Sequence, residues 1–212
     1  MIRPLQVADR VWVATTTGTG GPSGPAPVSR HRDDLRRAAA LPEWRAREFL
    51  AGRGLLRALL AAVRPDLAGA EIVPGPRGKP ALRGHPDVGV SVSHTEGGAA
   101  AGVAVGRALG VDLQHPADRP NPALVRRLLP GHAHLLAALP PERAAAEVAW
   151  VWTAQEACVK ASGAGLAGRP WTIDVPPGAR TGHWSGYRWT TLRDHSTTPL
   201  SCAYTDDPDD PD

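Results

Sequence analysis

Hydrophobic positions switch between two spacings along the chain, and the switches mark out the elements. Val11-Trp12-Val13-Ala14-Thr15 reads as a first strand. Thr16 to Ser29 is rich in Gly, Pro and Thr and predicts a flexible loop. Helical spacing predicts helices over about Arg32–Ala40 and Pro42–Val63, parted at Leu41-Pro42; Phe49, Leu56, Leu59, Leu60 and Val63 fall on the core face of the second. Pro42 suits a first helical position and Pro65 closes the far end. After the loop Gly75-Pro76-Arg77-Gly78-Lys79-Pro80 the period shortens to two. In Val88–Ser93 the valines 88, 90 and 92 point one way, and Ser91 and Ser93 the other. Ala99–Val105 and Leu109–Leu113, joined by the turn Gly106-Arg107-Ala108, extend this into an antiparallel meander.

A Pro-punctuated stretch from Pro116 to Pro122 leads to a helix near Pro122–Leu129. A long helix covers about Glu142–Ser162 and stops at Gly163, a residue suited to a left-handed cap. The part holding Trp171, Trp184, Tyr187 and Trp189 reads as strands and loops. The order strand, long helix, strands thus occurs twice. It predicts an α+β fold of two pseudo-symmetric halves, each a small, mainly antiparallel sheet packed on a long helix. The expected division is residues 1–108 and 109–204, followed by a disordered acidic tail, 205–212.

Composition changes this picture in three places. The 212 residues can bury a sizeable core, and Trp supplies seven of the ten aromatic side chains, so single Trp positions are expected to anchor packing. The abundance of Ala, Arg, Gly and Pro matches a GC-rich coding sequence. Net charge is +3, but five of the 21 acids lie in the tail; without them 24 bases face 16 acids, a body charge of +8. Such a body attracts anions, whether phosphorylated cofactors, acidic proteins, nucleic acid or anionic lipid. Cys158 and Cys202 have no metal-ligand spacing and read as free thiols. No apolar run reaches signal-peptide or membrane-span length, so a soluble cytoplasmic protein is expected.

Two segments carry candidate chemistry. In Gly110-Val111-Asp112-Leu113-Gln114, strand alternation sends Val111 and Leu113 to the core and puts Asp112 and Gln114 together on the other face. A carboxylate and an amide oxygen there suit Mg²⁺, which takes one or two carboxylates and leaves its other positions to water and phosphate. An exposed Asp at a strand end accounts for the same pentapeptide. In the long helix, Val148, Val151, Trp152, Gln155 and Val159 form a mostly apolar stripe, with Trp152, Glu156 and Lys160 at i, i+4 steps along one edge. That edge is expected to face a cleft; a plain Glu-to-Lys helix pair is the simpler reading.

Together, Gly-Val-Asp and the downstream Trp152-Thr153-x-x-Glu156-Ala157-x-x-Lys160 resemble the paired signature of the 4′-phosphopantetheinyl transferases. The resemblance extends upstream to the Arg-rich helix from Arg45 to Arg57, to Gly78-Lys79-Pro80 and to Ser91-Val92-Ser93-His94-Thr95, spanning about residues 42–166. Length and organisation resemble the two-half type that activates surfactin synthetase and other natural-product synthetases, of polyketides or nonribosomal peptides. The resemblance implies a monomer with its active site in the cleft between the halves. Its reaction would be transfer of phosphopantetheine from coenzyme A to a serine of an apo acyl or peptidyl carrier protein, releasing adenosine 3′,5′-bisphosphate.

It further implies that Asp112 and Glu156, with Gln114 as a third ligand, hold Mg²⁺ against the pyrophosphate. Glu156 would also deprotonate the carrier serine, directly or through a water. Lys160 would stabilise charge on the transferred and leaving phosphates. Arg45, Arg53, Lys79 and His94 would grip phosphates and the adenosine end, with Ser93 adding a hydrogen bond. Two positions depart from the pattern: Gln114, often an acid, and Gln155, often Lys. These departures motivate a rival reading, a coenzyme A-binding sensor or scaffold with little catalysis. A nucleic-acid-binding module, the third candidate, lacks a recognition-helix or RNA-stacking motif.

Overall fold

The computed structural model describes residues 2–19 and 27–206. In order, these form β1 (Leu5–Ala8), β2 (Val11–Thr15), α1 (Arg32–Ala38), α2 (Glu43–Val63), β3 (Ile72–Pro74), β4 (Pro80–Leu82), β5 (Val88–Thr95) and β6 (Gly98–Val105). Then follow β7 (Leu109–Leu113), α3 (Pro122–Leu128), α4 (Ala133–Leu136), α5 (Pro141–Ser162), β8 (Thr181–Trp184), β9 (Tyr187–Thr191) and β10 (Leu200–Thr205). The fold is α+β. Hydrogen bonding gives one six-stranded sheet, β1-β2-β6-β5-β4-β3, and one four-stranded sheet, β7-β10-β9-β8; every pair of strands is antiparallel.

The layers run α2, first sheet, second sheet, α5. Strand β6 shows why. Ala99, Ala101 and Val103 face the buried leucines 55, 56, 59 and 60 of α2, while Ala100 and Ala104 face Leu109, Val111 and Leu113 of β7. Between them Gly102 lies so close to β7 that an added Cβ would stand 2.6 Å from Leu109 and 2.8 Å from Val111. Small side chains on the second face of β6 let the two sheets approach. The Ala-rich composition therefore has a packing role here, beyond its coding-sequence origin. On the far side α5 packs on β7, β9 and β10, with Trp189, Ile173 and Leu128 completing that core.

The predicted meander is not what forms. β6 pairs with β5 and β2, whereas β7 leaves that sheet and pairs with β10, so the register couples Asp112 to Ser201 and Val111 to Cys202. Gly106, at φ 74°, makes the break. A hydrophobic pattern reports that a strand is buried but not which neighbour takes its hydrogen bonds. The short strands β1, β3 and β4 went unanticipated, since three or four residues are too few to show a period. Of the predicted loop over Thr16–Ser29, residues 20–26 lie outside the described residues. So do residues 207–212 of the predicted tail, whose first residue, Thr205, closes β10. No helix among the described residues is long and apolar enough to cross a membrane.

Candidate active site

Strand β7 lies against the backbone of α5 at Gly110. A Cβ there would stand 2.1 Å from the Ala157 carbonyl oxygen and 2.4 Å from the Ala161 nitrogen, so only glycine fits. Two residues on, the same strand face presents Asp112 to the helix. Its Oδ1 accepts from Lys160 Nζ at 2.6 Å and from Ser93 Oγ at 2.8 Å. Lys160 also donates to Ser93 Oγ at 3.1 Å. Strand, helix and the first sheet each place one side chain in this triad, Asp112 and Ser93 buried and Lys160 half-buried.

The serines of β5 have a second use. Facing the second sheet and not solvent, Ser91 Oγ accepts from Val111 N at 3.0 Å and Ser93 Oγ from Leu113 N at 3.2 Å. These are the outward N–H groups of β7, an edge with no strand paired to it among the described residues. Hydroxyls from the neighbouring sheet satisfy buried donors that would otherwise cost free energy.

On α5, Trp152, Glu156 and Lys160 are half-buried while the residues between them are buried, so the predicted edge is the helix's one open strip along this stretch. The phase is held from the opposite side. Thr153 donates to its own helix at Trp150 O and stands 2.8 Å from Ser201 Oγ of β10, with both residues fully buried. Gln155, also fully buried, donates through Nε2 to the carbonyls of Leu128 and Ile173, each at 2.9 Å. A neutral amide there ties α3 and the segment after α5 to the helix. Sequence reasoning quoted Thr153 only as part of the signature, with no role, and missed Ser201, because a lone hydroxyl carries no periodic signal.

Glu156 is the less satisfied acid of the pair. Its Oε1 is buried and has no hydrogen-bond partner among the described residues. Burial pushes the carboxyl above the ordinary carboxylate range, the Asp112 charge adds to this, and Lys160 opposes it. No group of three His, Cys, Asp or Glu positioned for a metal occurs among the described residues. Two acids do occur, mutually repelling, one with an orphaned buried oxygen, and that donor set fits a hard divalent cation keeping water and phosphate as further ligands. Gln114 is exposed and not brought to the triad by any described hydrogen bond; its amide donates to His115 O at 3.2 Å.

The predicted phosphate-gripping cations divide into three environments. Arg45 Nη1 of α2 stands 2.6 Å from His94 Nε2, and Glu48 Oε2 stands 3.2 Å from the first and 3.3 Å from the second. Burial pushes the His94 imidazole down, the Arg45 charge adds to this, and Glu48 opposes it; His94 follows Ser93 on β5, so this cluster lies beside the triad. Lys79 Nζ donates to Ala161 O at 2.6 Å and Arg77 to Gly163 O at 3.0 Å, so two cations of the first half cap the C-terminal end of α5. These residues border an open cleft of about 680 Å³ between Gly75–Lys79, β5 and Gly163.

Arg53 belongs elsewhere. It is buried over the Phe49 ring, 3.8 Å from Asp34, and burial brings its guanidinium down to about 10 against the pull of Asp34. Asp34 in turn accepts from Arg57 Nε and Ser29 Oγ, each at 2.6 Å. No described hydrogen bond or ion pair brings Arg53 to His94, Lys79 or Lys160. Both cysteines are buried and free, and burial pushes each thiol up to about 12.

Comparison with known proteins fits this geometry. Residues 108–204 match the family model of the 4′-phosphopantetheinyl transferase superfamily. The chain is also 34% identical over 145 residues to the 4′-phosphopantetheinyl transferase HetI of Nostoc sp.. That alignment covers 64% of this chain and 60% of the relative, so the chain spans about three-fifths of the length of the curated relative it matches.

Proposed function

We propose that this protein transfers the 4′-phosphopantetheine group of coenzyme A to a serine of an apo acyl or peptidyl carrier protein, releasing adenosine 3′,5′-bisphosphate. The observation that carries this reading is the convergence of Asp112, Glu156 and Lys160 beside a cluster of cations drawn from the first half. The superfamily match over the second half and the HetI likeness support it. The two stacked sheets, with Arg45 and His94 coming from α2 and β5 of the first half and Asp112 and Glu156 from β7 and α5 of the second, favour the two-half type, in which one chain completes a site and acts as a monomer. The free buried thiols are compatible with a reducing cytoplasm.

In this reading residues 1–108 supply phosphate contacts and 109–204 the acids. Asp112 and Glu156 would hold Mg²⁺, with Gln114 as the candidate third ligand, directly or through water. When bound, the ion neutralises the coenzyme A pyrophosphate and makes its phosphorus easier to attack. The chain's own residues do the rest. Glu156, raised in pKa by burial and by Asp112, is a carboxylate able to take the carrier serine's proton. The serine oxygen then bonds to the phosphorus bearing pantetheine, and the bond to the adenosine-side phosphate oxygen breaks. Lys160 meets the charge left on that oxygen. Arg45 and His94 hold the cofactor's phosphates, Ser93 keeps Asp112 and Lys160 in place, and Lys79 lines the cleft. Arg53 contributes through Asp34 to the helix that presents Arg45.

Intact mass of apo-carrier proteins after incubation with the protein, coenzyme A and Mg²⁺ tests this. A gain of the phosphopantetheine mass is expected. Coenzyme A binding with unchanged carrier mass across acyl and peptidyl carriers would favour the sensor or scaffold reading instead.

A further inference from the structure

Arg45 Nη1, His94 Nε2 and Glu48 Oε2 surround one point, each within 3.3 Å of the other two. An arginine nitrogen has only hydrogens to offer, so at 2.6 Å the imidazole nitrogen must present its lone pair and His94 is neutral in this arrangement. Two acceptors, the imidazole and the carboxylate, therefore converge on one guanidinium nitrogen. The carboxylate gains nothing from the ring in this state. Glu48 lies one turn beyond Arg45 on α2, its side chain about one-third exposed.

A phosphate oxygen brings the same charge and the same acceptor geometry as Glu48 Oε2, and can use both donors once the imidazole is protonated. We propose that Glu48 is a resident phosphate mimic. It occupies the Arg45–His94 anion site in the ligand-free protein, and an incoming coenzyme A phosphate must displace it. The inference rests on the reading above that this pair receives a cofactor phosphate. Glu48 holds the Arg45 guanidinium in place before the ligand arrives, and it weakens the bound state by competing with the ligand. It is thus a specificity-determining residue: ligands without a phosphate at this point have nothing to displace it with.

The test measures dissociation constants for coenzyme A and for phosphate-free pantetheine in wild type, Glu48→Gln, Arg45→Ala and the double variant. Gln keeps the length and polarity of the side chain and removes the charge, so folding is preserved. Glu48→Gln is expected to bind coenzyme A about five- to tenfold tighter, a gain of up to about 1.4 kcal/mol by the tenfold conversion, and pantetheine no tighter. Arg45→Ala is expected to weaken coenzyme A and to abolish the gain from Glu48→Gln. Unchanged or weaker coenzyme A binding in Glu48→Gln, with Arg45→Ala still harmful, would overturn the mimic and leave the phosphate site standing. Coenzyme A binding indifferent to Arg45→Ala would overturn both. Equal gains for pantetheine would show a general charge effect and overturn the mimic.

Discussion

Lys160 Nζ of α5 lies 2.6 Å from Asp112 Oδ1 of β7, so an ammonium answers the carboxylate that the proposed reaction assigns to a metal. The other acid, Glu156, keeps a buried oxygen with no hydrogen-bond partner among the described residues. Asp112→Ala or Glu156→Ala should each lower the transfer rate by about 10²-fold or more, the scale of losing one oriented charge in a water-poor site. Gln114→Ala should be mild, because an exposed amide is replaceable by water, and Gln114→Glu should tighten Mg²⁺. A Mg²⁺ titration of transfer rate checks all four variants. Near-normal rates in either carboxylate variant would sink the assignment.

Gly110 is the contact that sets this geometry, and Gly110→Ala tests it. The new methyl would stand 2.1 Å from the Ala157 carbonyl, against backbone that has no rotamer to change. Overpacking of this kind costs about 3 kcal/mol or more, which in a chain of this size lowers Tm by roughly 6–12 °C. Transfer should fall further than stability alone explains, because β7 and α5 can relax only by parting Asp112 from Lys160. Thermal denaturation followed by circular dichroism, beside the rate at a temperature where the variant is folded, separates the two effects. Unchanged Tm and rate would show that the strand and helix are not in such close contact.

Much of this was legible in the chain. The two long helices, the edge Trp152–Glu156–Lys160 and the strand around Asp112 followed from periods of 3.6 and 2, because burial on one side imposes them. What period cannot show is partner choice. β7 is apolar on alternate residues whether it pairs with β6 or β10, and its actual partner is set by an edge already closed by Ser91 and Ser93. Nor does charge type show burial. Arg45 and Arg53 look alike in sequence, yet one meets His94 and the other sits inside with Asp34, because α2 turns them toward different neighbours. Asp34 itself, fully buried at the start of a short helix, had no pattern to announce it.

That Asp34 makes a pH prediction. Burial pushes its carboxyl up, but hydrogen bonds from Arg57 and Ser29 and the charges of Arg57 and Arg53 outweigh this, and its pKa ends below the ordinary 3.8. A carboxyl lowered in the folded state contributes stability that is present above 3.8 and lost as pH falls through the folded value. Asp34→Asn leaves Arg53 and Arg57 without their shared counter-charge and should cost about 3–5 kcal/mol at neutral pH. The gap between wild type and variant should narrow once pH drops below 3.8. Urea unfolding at pH 7 and pH 3 measures it. A gap that stays constant, or widens in acid, would mean the carboxylate charge is not what stabilises α1 on α2.

The last prediction concerns Thr153, which holds the phase of α5 from the side away from the acids. Its hydroxyl stands 2.8 Å from Ser201 Oγ, and both residues are fully buried. Ser201 faces Asp112 across the β7–β10 ladder, so this bond ties Glu156's helix to the partner strand of Asp112. Thr153→Val keeps the shape and removes the hydroxyl, leaving Ser201 to bury its own unpaired; the cost should be about 1–3 kcal/mol. Thr153→Ser keeps the hydrogen bond and loses one methyl, about 0.8 kcal/mol. The discriminating variant is the double, Thr153→Val with Ser201→Ala. If the hydroxyl pair is the relevant contact, removing both partners should cost less than the two single changes added together, because no orphan remains. Chemical denaturation of wild type, Thr153→Val, Ser201→Ala and the double gives the four stabilities the comparison needs. Strict additivity would reduce the bond to two independent packing effects and would remove Thr153 from the set of residues that place Glu156.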